Sequence, residues 1–424
     1  IMTNKINKEI SCMDDFDKNS ITTDQALKKI FNAISPIDEN EIIPIRDALN
    51  RVLGENIKSK INVPSARNSA MDGYAINKKD IPSNTTSTLK IVGQSFAGSP
   101  FKKSIKKGEC VRIMTGAVMP AGSDTVVIQE HVLLTNSKTE IIIENNVMPE
   151  GNVRQAGEDI SIGEVALTKG KKLAPADIGL LASLGLSKIS VTRKLRVAFF
   201  STGDELRSLG EDLDDGEIYD SNRYTLYAML SRLNVEIIDM GVIRDDKKSI
   251  AEAFSKAQAK NDLLITSGGV SVGEADYIKT ILEDFGNVNF WKVAIKPGRP
   301  LTFGNLGNTL FFGLPGNPVS VMVTFYQFVQ PAIKKLSADC SGLPLTVKIP
   351  SISKLKKKPG RVEFQRGIIE KDSNNNITVR KTGPQGSGIL RSMSEANCFI
   401  VLPLDNEGVE PGDLVDVQIF HGIA

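Results

Sequence analysis

The chain has 424 residues, enough for roughly three domains of about 150 residues each. Hydrophobic residues make up 41% of it and charged residues 24%, a globular composition that excludes a wholly disordered protein. The 52 Lys and Arg nearly balance the 50 Asp and Glu, and a net charge of +2 favours neither a nucleic-acid partner nor an anionic membrane. No apolar run approaches the roughly 20 residues of a membrane span. The first residues lack the apolar core of a signal peptide, so we expect a cytoplasmic protein.

Cysteine and histidine usage excludes several kinds of chemistry. The four cysteines are widely spaced and contain no C-x-x-C pair, which excludes a zinc ribbon and a thioredoxin-type redox pair. With only His131 and His421 in the chain, a histidine metal cluster or a Ser-His-Asp triad is also disfavoured. The chemistry must therefore come from carboxylates, Lys and Arg, hydroxyl groups and backbone amides.

The first half of the chain predicts an α/β segment followed by short strands. Thr22 and Gln25 form a capping-box pattern, which predicts a helix that ends before Pro36. We expect a second helix over residues 46–53, with Gly54 as its C-cap. Between residues 60 and 190, short apolar runs alternate with Gly, Pro and Asn, a pattern typical of strands. The predicted elements are strands at 89–92, 110–114, 124–128 and 140–144 and a helix at 175–186.

From about residue 195 the pattern becomes strand–helix–strand, which predicts a doubly wound parallel sheet. Its predicted strands are 195–201, 235–242, 263–266, 290–295 and 309–312, and a long helix follows at 318–336. After Cys340 the strands return and predict a small barrel. These strands are 345–349, 362–368, 377–380, 398–402 and 415–420. We interpret the four lysines within residues 354–358 as a solvated loop.

The predicted strands of the sheet end in segments rich in glycine, hydroxyl groups and carboxylates. These are residues 201–205, 244–246, 267–276 and 313–318. Ligands of doubly wound sheets bind beyond the carboxyl ends of the strands, and glycine-rich turns present backbone amides to anions. Lys292, Lys296 and Arg299 add cations, while the carboxylates of Asp204, Glu205, Asp245 and Asp276 suit Mg²⁺. The sequence therefore predicts a site for an anionic, nucleotide-like substrate with a divalent cation.

Each of these segments also has a plainer interpretation. A single Ser-Gly-Gly or Asp-Asp sequence is more typical of a turn or a helix cap than of a site. Residues 316–318 alone could simply begin the following helix, because proline is common in the first turn. Their shared place at one edge of the sheet favours the functional interpretation. Three segments of the strand-rich part, 68–75, 112–117 and 152–159, are each more typical of turns or strand ends.

Taken together, the segments resemble the MoeA family of molybdopterin molybdenumtransferases, to which the gephyrin E domain also belongs. The matching runs are NSAMDGYA from Asn68, RIMTGA from Arg112, GEDIS from Gly157, FSTGDEL from Phe200, IYDSNR from Ile218, IRDD from Ile243, SGGVSVGEADY from Ser267 and FGLPGNPVS from Phe312. The resemblance covers residues 22 to 420, nearly the whole chain.

The resemblance implies an α/β multidomain protein. Its central unit is the doubly wound parallel-sheet molybdopterin-binding domain, flanked by β-rich N-terminal domains and a C-terminal β-barrel. The implied boundaries are a flexible N-terminus at 1–20, an elongated domain at 21–60 and 150–193, an inserted β-rich domain at 61–149, the molybdopterin-binding domain at 194–338 and the barrel at 339–424.

The resemblance also implies a reaction and partners. Molybdate is inserted into adenylylated molybdopterin with Mg²⁺-dependent release of AMP, in a homodimer whose subunits share the active cleft. A pathway adenylyltransferase and molybdoenzyme chaperones are further implied partners.

Site residues carry over by motif. The implied catalytic residues are Asp72, Thr115, Asp159, Glu205, Asp245 and Asp276, the first three supplied by the partner subunit. The implied substrate-binding residues are Ser267, Gly268, Gly269, Ser271, Lys292, Lys296, Pro315, Gly316, Asn317, Pro318, Arg361 and Ser387. Among the latter, Lys292, Lys296, Arg361 and Ser387 resemble the molybdate pocket of the family, and Glu205, Asp245 and Asp276 are the candidate Mg²⁺ ligands.

One departure and two alternatives remain open. The family usually has Asp immediately before the residue that matches Asn68, whereas this chain has Arg67. We expect activity to survive this change because Asp72 and Gly73 are present. A molybdopterin adenylyltransferase shares the central domain, but usually carries Thr-Gly-Gly-Thr-Gly where this chain has Ser267-Gly-Gly-Val-Ser. A scaffold protein is the non-enzyme alternative, since gephyrin relatives also anchor receptors.

Overall fold

The computed structural model describes residues 20–269 and 277–420. The predicted site residues Ser271 and Asp276 lie outside these ranges, as does His421. Within them, no helix is long and apolar enough to cross a membrane.

The first elements run from α1 to β3. They are α1 (Thr23–Ala33), β1 (Asn40–Pro44), a 3₁₀ turn (Ile45–Asp47), β2 (Ile57–Lys58) and β3 (Asn68–Ser69). The capping box predicted for α1 is confirmed, since the Thr22 Oγ1 accepts from the Gln25 amide at 3.2 Å and the Gln25 Oε1 accepts from the Thr22 amide at 3.0 Å. Both interactions satisfy amide groups that the first helical turn would otherwise leave unpaired.

The predicted helix at 46–53 is wrong. Only the 3₁₀ turn forms there, and Asn50 takes a left-handed conformation with φ +64°. Beyond it, Val52 and Leu53 form single β-bridges with Lys172 and Val191. Burial of Leu53 in a core shared with distant strands outweighs the local helix propensity, which is a weak preference.

An inserted sheet follows, with six strands in the order β7-β4-β6-β5-β9-β8. The strands are β4 (Gly73–Ile76), β5 (Thr86–Ser95), β6 (Glu109–Ile113), β7 (Thr125–Ile128), β8 (Leu133–Leu134) and β9 (Glu140–Glu144). All four strands predicted here form. The sequence analysis missed β4, although it lies inside the sheet and is buried along its length.

The chain then returns to the first unit with β10 (Val153–Arg154), β11 (Val165–Leu167), α2 (Pro175–Ser183) and β12 (Lys188–Thr192). Strand β12 pairs antiparallel with β1, and β11 pairs with β2. The predicted helix at 175–186 is thus present as α2. This unit has its own core, in which Leu53, Leu167 and Leu181 pack together.

The central unit contains β13 (Arg196–Thr202), β14 (Leu206–Arg207), β15 (Ile218–Tyr219), α3 (Ser221–Ser231), β16 (Glu236–Ile243), α4 (Lys247–Gln258), β17 (Leu263–Ser267), α5 (Tyr277–Phe285), β18 (Asn287–Lys292), β19 (Ile295–Lys296), β20 (Pro300–Leu306) and β21 (Thr309–Leu314). The main sheet has the order β16-β13-β17-β21-β20-β18. Alternate residues of β13 enter two different cores, Val197 and Phe199 on one face and Ala198 and Phe200 on the other. Helices therefore cover both faces of this sheet.

The prediction of a wholly parallel sheet needs correction. Strands β16, β13, β17 and β21 are parallel, whereas β20 runs antiparallel to β21. Strand β18, at the edge, pairs antiparallel with β20 and so runs in the same direction as the first four. The sequence analysis missed β20, which forms a hairpin with β21 through Gly307 in a left-handed conformation of φ +57°. Hairpins make antiparallel pairs, so this short connection fixes the direction of β20.

The predicted helix at 318–336 forms with an irregular middle. It consists of α6 (Pro318–Thr324), a π-helical turn (Phe325–Val329) and α7 (Gln330–Leu336). The C-terminal elements are β22 (Thr346–Pro350), β23 (Leu355–Lys356), β24 (Val362–Lys371), β25 (Ile377–Lys381), α8 (Leu390–Glu395), β26 (Cys398–Leu402), β27 (Gly408–Val409) and β28 (Leu414–Ile419). Strands β25-β24-β26-β28-β22 pair in that order, and a bridge from Ser351 to Val379 joins the two ends.

Strand β19 joins the central unit to the C-terminal one. Ile295 and Lys296 pair in parallel with Val362 and Glu363 of β24. The amide of Val362 also donates to the carbonyl of Ala294 at 2.9 Å. Phe364 and Phe399 of the C-terminal strands enter the same core as the central helices. The two units therefore share a backbone ladder and a hydrophobic core.

A charged cluster closes the junction between the first unit and the central sheet. The Arg193 guanidinium donates two hydrogen bonds of 2.8 Å to the Asp262 carboxylate and a third of 2.6 Å to Glu39. Burial raises the pKa of Asp262, but the hydrogen bonds from Arg193 and the Arg196 amide outweigh it, so the pKa is lowered overall.

We predict that Asp262→Asn destabilises the protein by about 2 kcal/mol, because it removes a bidentate charged hydrogen bond. This corresponds to a drop of roughly 4–8 °C in Tm near neutral pH, measured by thermal unfolding followed by circular dichroism. A lowered carboxyl pKa stabilises the fold only above the unfolded-state value of about 3.9, so the difference from the unaltered protein should shrink below about pH 4.

Asp38→Asn is the matched control. Asp38 is 95% exposed at the side chain and lies 3.7 Å from Lys169, so its loss should leave Tm unchanged. Equal effects of the two substitutions, or no change for Asp262→Asn, would contradict the role assigned to this junction.

Candidate functional site

A cleft of about 960 Å³ lies where the carboxyl ends of the parallel strands face the C-terminal unit. Many of the residues predicted for the site line it. They are Glu205, Asp245, Gly268, Gly269, Lys292, Lys296, Pro315, Gly316, Asn317, Arg361 and Ser387. Two others stand just behind it, since Ser267 is buried at the end of β17 and Pro318 begins α6. The tertiary structure thus brings together residues up to 182 positions apart in the chain, from Glu205 to Ser387.

The glycine turn after β17 requires glycine at two positions. Gly268 and Gly269 have φ of +88° and +68°, a region that side-chain-bearing residues avoid. A Cβ on Gly268 would lie 2.3 Å from the carbonyl oxygen of Thr202. The two turns that follow β13 and β17 therefore touch through backbone atoms. These two turns form the floor of the cleft.

Asn222, in the first turn of α3, connects two of the glycine turns. Its Nδ2 donates to the Ser267 Oγ at 2.9 Å and to the Gly316 carbonyl at 2.6 Å. The sequence analysis did not select Asn222 as a site residue, although it lies in the matching run from Ile218. A polar residue just after an Asp N-cap was the available signal.

The acidic end of the cleft contains Glu205 and Asp245. Burial and the neighbouring carboxylates of Asp204 and Glu205 raise the pKa of Asp245, against a weak hydrogen bond of 3.4 Å from the Thr202 Oγ1. Carboxylates that repel each other in this way suit a divalent cation, and Mg²⁺ in particular uses one or two of them and retains water. The described residues contain no cluster of three metal-binding side chains, but this pair fits Mg²⁺.

The opposite wall of the cleft is cationic. Lys292 and Lys296 come from the central unit, while Arg361 and Lys356 to Lys358 come from the C-terminal unit. The interpretation of residues 354–358 as a solvated loop is therefore wrong for Lys357, whereas Lys356 and Lys358 line the cleft and remain exposed to solvent. Lys357 is only 7% exposed, and its Nζ donates to the carbonyls of Leu404 and Asn406. Sequence spacing could not reveal this, because the carbonyls come from a loop nearly 50 residues away.

Glu363 is the acidic residue of that wall, and the sequence analysis missed it. Its carboxylate is buried, lies 3.3 Å from the Lys296 Nζ and accepts a hydrogen bond of 3.1 Å from the Gln365 Nε2. The β19–β24 pairing places Lys296 directly beside Glu363. This ion pair orients Lys296 at the cleft surface.

The loop that carries Ser387 is held from behind by Arg366, a fully buried residue of β24. The guanidinium donates to the Ser392 Oγ at 3.0 Å and to the Gly386 carbonyl at 3.1 Å. Burial lowers the pKa of Arg366 to about 10, so the group remains charged at neutral pH. The Ser387 carbonyl in turn accepts from the Val319 amide of α6 at 3.1 Å. The loop is therefore fixed to both units.

Three predicted catalytic residues lie away from the cleft of this chain. Asp72 accepts hydrogen bonds from the amide and the Oγ1 of Thr115, at 2.7 and 2.8 Å. These bonds lower the pKa of the Asp72 carboxyl, which is exposed to solvent. Asp159 is also exposed, in the loop before the bridge between Ile160 and Val63. None of the three is among the residues that line the described cleft.

Arg67 stands where the family usually has Asp, five residues before Asp72, and its side chain is exposed to solvent. Its Nη2 donates to the Ser123 carbonyl at 2.7 Å. The side chain therefore has a local structural role in the inserted sheet unit.

Three family models of known proteins match consecutive parts of the chain. They are the MoeA N-terminal region (domain I and II) at residues 21–185, the "Probable molybdopterin binding domain" at 198–335 and the MoeA C-terminal region (domain IV) at 348–420. The chain belongs to the MoeA family.

Individual relatives agree with this family. The chain is 45% identical to the molybdopterin molybdenumtransferase of Haemophilus influenzae, over 95% of this chain and 99% of the relative. It is 35% identical to gephyrin of Dictyostelium discoideum, over 94% of this chain and 62% of the relative. The crystal structure of a molybdopterin biosynthesis MoeA protein from Pyrococcus horikoshii OT3 covers 95% of this chain, with 30% identity and a TM-score of 0.83.

We predict that Gly268→Ala displaces the cleft floor. The added Cβ would meet the Thr202 carbonyl, and a left-handed alanine costs about 1–2 kcal/mol by itself. Tm should fall by several degrees. The control is Gly316→Ala, whose Cβ would meet nothing nearer than the Gly268 Cα at 4.0 Å. A Gly268→Ala protein as stable as the Gly316→Ala protein would refute the proposed backbone contact.

Proposed function

We propose that this protein is a molybdopterin molybdenumtransferase that inserts molybdate into adenylylated molybdopterin and releases AMP. The observation that carries the proposal is the charge separation in the cleft, with Glu205 and Asp245 at one end and Lys292, Lys296 and Arg361 at the other. A doubly anionic oxyanion and a phosphate-bearing substrate with Mg²⁺ need these two environments side by side. The names of close relatives support the same activity.

In this proposal, the cationic wall binds molybdate. Lys296 and Arg361 supply charge, and the Ser387 hydroxyl supplies a neutral donor, which together suit a tetrahedral dianion. Lys292 adds a further cation from the end of β18. Buried Glu363, 3.3 Å from the Lys296 Nζ, keeps the Lys296 ammonium oriented.

The glycine turns bind the anionic part of the pterin substrate. Backbone amides of Gly268, Gly269, Gly316 and Asn317 lie at the carboxyl edge of the sheet, where phosphate groups bind in folds of this class. Pro315 and Pro318, which have no N–H, flank the second of these turns. Asn222 holds the two turns at a constant separation. Substrate binding would thus place the reacting sulfur atoms toward the cationic wall.

Mg²⁺ belongs at the acidic end in this proposal. Glu205 and Asp245 are its described candidate ligands, and Asp276 is the third predicted one, outside the described residues. When bound, Mg²⁺ would neutralise phosphate charge and so assist the departure of AMP. The fold partly buries Asp245 and holds other carboxylates near it, and burial first, then these negative charges, raise the pKa of Asp245.

We further propose a homodimer in which the cleft is completed by Asp72, Thr115 and Asp159 of the second subunit. The support is that these residues are exposed and lie outside the cleft of their own chain, while Asp72 and Thr115 are already hydrogen-bonded to each other. Exposed, ordered polar residues of this kind suit contact with a ligand held by another subunit.

The domain boundaries 21–60 with 150–193, 61–149, 194–338 and 339–424 are part of the proposal. Separate hydrophobic cores in the first, inserted and C-terminal units support them. We also propose that the protein is cytoplasmic. In this proposal, the pathway adenylyltransferase supplies its substrate, and molybdoenzyme chaperones receive its product.

The first test is release of AMP from adenylylated molybdopterin by the purified protein, with and without molybdate and Mg²⁺. We expect release that depends on both, and a loss of at least about a hundredfold in Asp245→Asn, because one carboxylate charge at the acidic end disappears. Asp38→Asn is the control, because the Asp38 side chain is 95% exposed and does not line the cleft. This variant should keep full activity.

Other outcomes of this test identify the alternatives. Transfer of AMP from ATP onto molybdopterin, without molybdate-dependent release, would assign the protein as an adenylyltransferase. Neither activity, together with capture of a stoichiometric protein partner, would assign it as a scaffold. Turnover in Asp245→Asn equal to that of the unaltered protein would remove this residue from the site.

A second test addresses the shared cleft. Asp72→Ala and Asp245→Ala proteins, each inactive alone, are mixed under conditions that exchange subunits. Half of the resulting dimers contain both variants, and one of their two clefts is intact if the subunits contribute different residues, so about a quarter of the unaltered activity should return. No recovery, with subunit exchange shown by native mass spectrometry, would mean that each cleft is built from a single chain.

A further inference from the structure

Lys357 differs from the other cations of the cleft because it is almost completely buried. The residue is one of those that line the cleft, yet it is only 7% exposed, whereas its neighbours Lys356 and Lys358 are exposed. Buried lysines are rare, because removing an ammonium group from water is costly. Burial accordingly lowers the pKa of Lys357, and the nearby charges of Lys296 and Arg361 lower it further against the attraction of Glu363 and Asp405.

The hydrogen bonds of Lys357 go to uncharged groups. Its Nζ donates to the carbonyl oxygens of Lys358, Leu404 and Asn406, at 3.2, 3.2 and 3.0 Å. In the described part of the chain, no carboxylate lies close enough to form an ion pair with it. The three carbonyl groups hold the ammonium in one place but leave its full charge in the wall.

The wall around Lys357 has more positive than negative charge. Lys296 and Arg361 also line the cleft here, and the buried acid of the wall is Glu363, which already contacts Lys296. A low-dielectric surrounding increases the interaction of a buried charge with a ligand in the adjacent cleft. An anion in the cleft therefore compensates a charge that the protein itself leaves without an ion pair.

We propose that Lys357 is a specificity-determining residue that makes this cleft prefer doubly charged over singly charged tetrahedral oxyanions. It acts through a fixed charge and through its hold on the loop of residues 356–358, without being an anion ligand itself. The inference rests on the anion site of the proposed function.

Two tetrahedral anions of similar size separate charge from shape. Molybdate carries two negative charges at about pH 7 and perrhenate carries one. Coulomb energy is proportional to the ligand charge, so removing a fixed positive charge should cost molybdate twice the binding free energy that it costs perrhenate. If perrhenate affinity falls about fourfold, molybdate affinity should fall about sixteenfold. A loosened loop would weaken both anions equally.

The experiment is isothermal titration calorimetry of the full-length protein with molybdate and with perrhenate. Lys357→Gln keeps a hydrogen-bond donor but removes the charge, and we expect the ratio of molybdate to perrhenate affinity to fall about fourfold. Lys357→Arg keeps the charge, so its ratio of molybdate to perrhenate affinity should equal that of the unaltered protein. Lys354→Gln is the matched control. Lys354 lies three residues before Lys357, but it is exposed and forms an ion pair with Glu410. The ratio of molybdate to perrhenate affinity should not change in this variant.

The possible results are distinguishable. An equal loss for both anions in Lys357→Gln, or an unchanged ratio, would overturn the inference and leave the proposed function intact. Binding of neither anion by the unaltered protein would overturn the molybdate site of the proposed function, and this inference with it. If Lys357→Gln does not fold, as judged by Tm, the ratio in Asp405→Asn provides the same test with the opposite sign, since one negative charge near Lys357 is removed.

Discussion

The short pairing of β19 with β24 is the interaction on which the rest of the site depends. Strand β19 follows the edge strand β18 of the central unit and pairs with β24 of the C-terminal unit through its backbone. This pairing makes Lys296 and Glu363 neighbours. Phe364, two residues from the start of this pairing, enters the core beneath the central helices. The pairing therefore positions the part of the cationic wall that the C-terminal unit supplies, Arg361 and the lysines at 356–358, relative to the glycine turns of the central unit. Backbone hydrogen bonds and apolar burial thus act together at this junction.

The cleft separates opposite charges that attract each other, and the protein supports this separation in different ways at its two ends. At the acidic end, burial and neighbouring carboxylates raise the pKa of Asp245. Its negative charge is therefore destabilised, and a bound cation would stabilise it. At the cationic end, Arg366 and Lys357 are buried and donate to carbonyl or hydroxyl groups. Groups held in this way keep their charge available to a ligand. Buried charges of this kind make the empty protein less stable than an apolar cleft would. Binding of a ligand of opposite charge then releases more free energy.

Local sequence patterns predicted the elements whose stability is local. The capping box at Thr22 and the strand predicted at 195–201 form as expected, and the long helix from Pro318 forms with a π-helical turn in its middle. The predictions failed where distant contacts decide the structure. Residues 46–53 look helical, but Leu53 packs against strands more than a hundred residues away. Strand β20 contains Gly304 and was missed, because its pairing with β18 and β21, and not its composition, makes it a strand.

The sequence by itself determined the family, the kinds of chemistry available and many of the residues that line the cleft, since long ordered motifs and the scarcity of His and Cys do not depend on tertiary contacts. It could not find Glu363 or Lys357, because each of them matters through partners that are distant in the chain or through burial. Only the tertiary structure decided that three lysines of a charged loop face the cleft, and that Asp72 and Thr115 do not line it. Folding sets burial and distance, and these two quantities decide whether a charged residue is solvated, structural or part of a site.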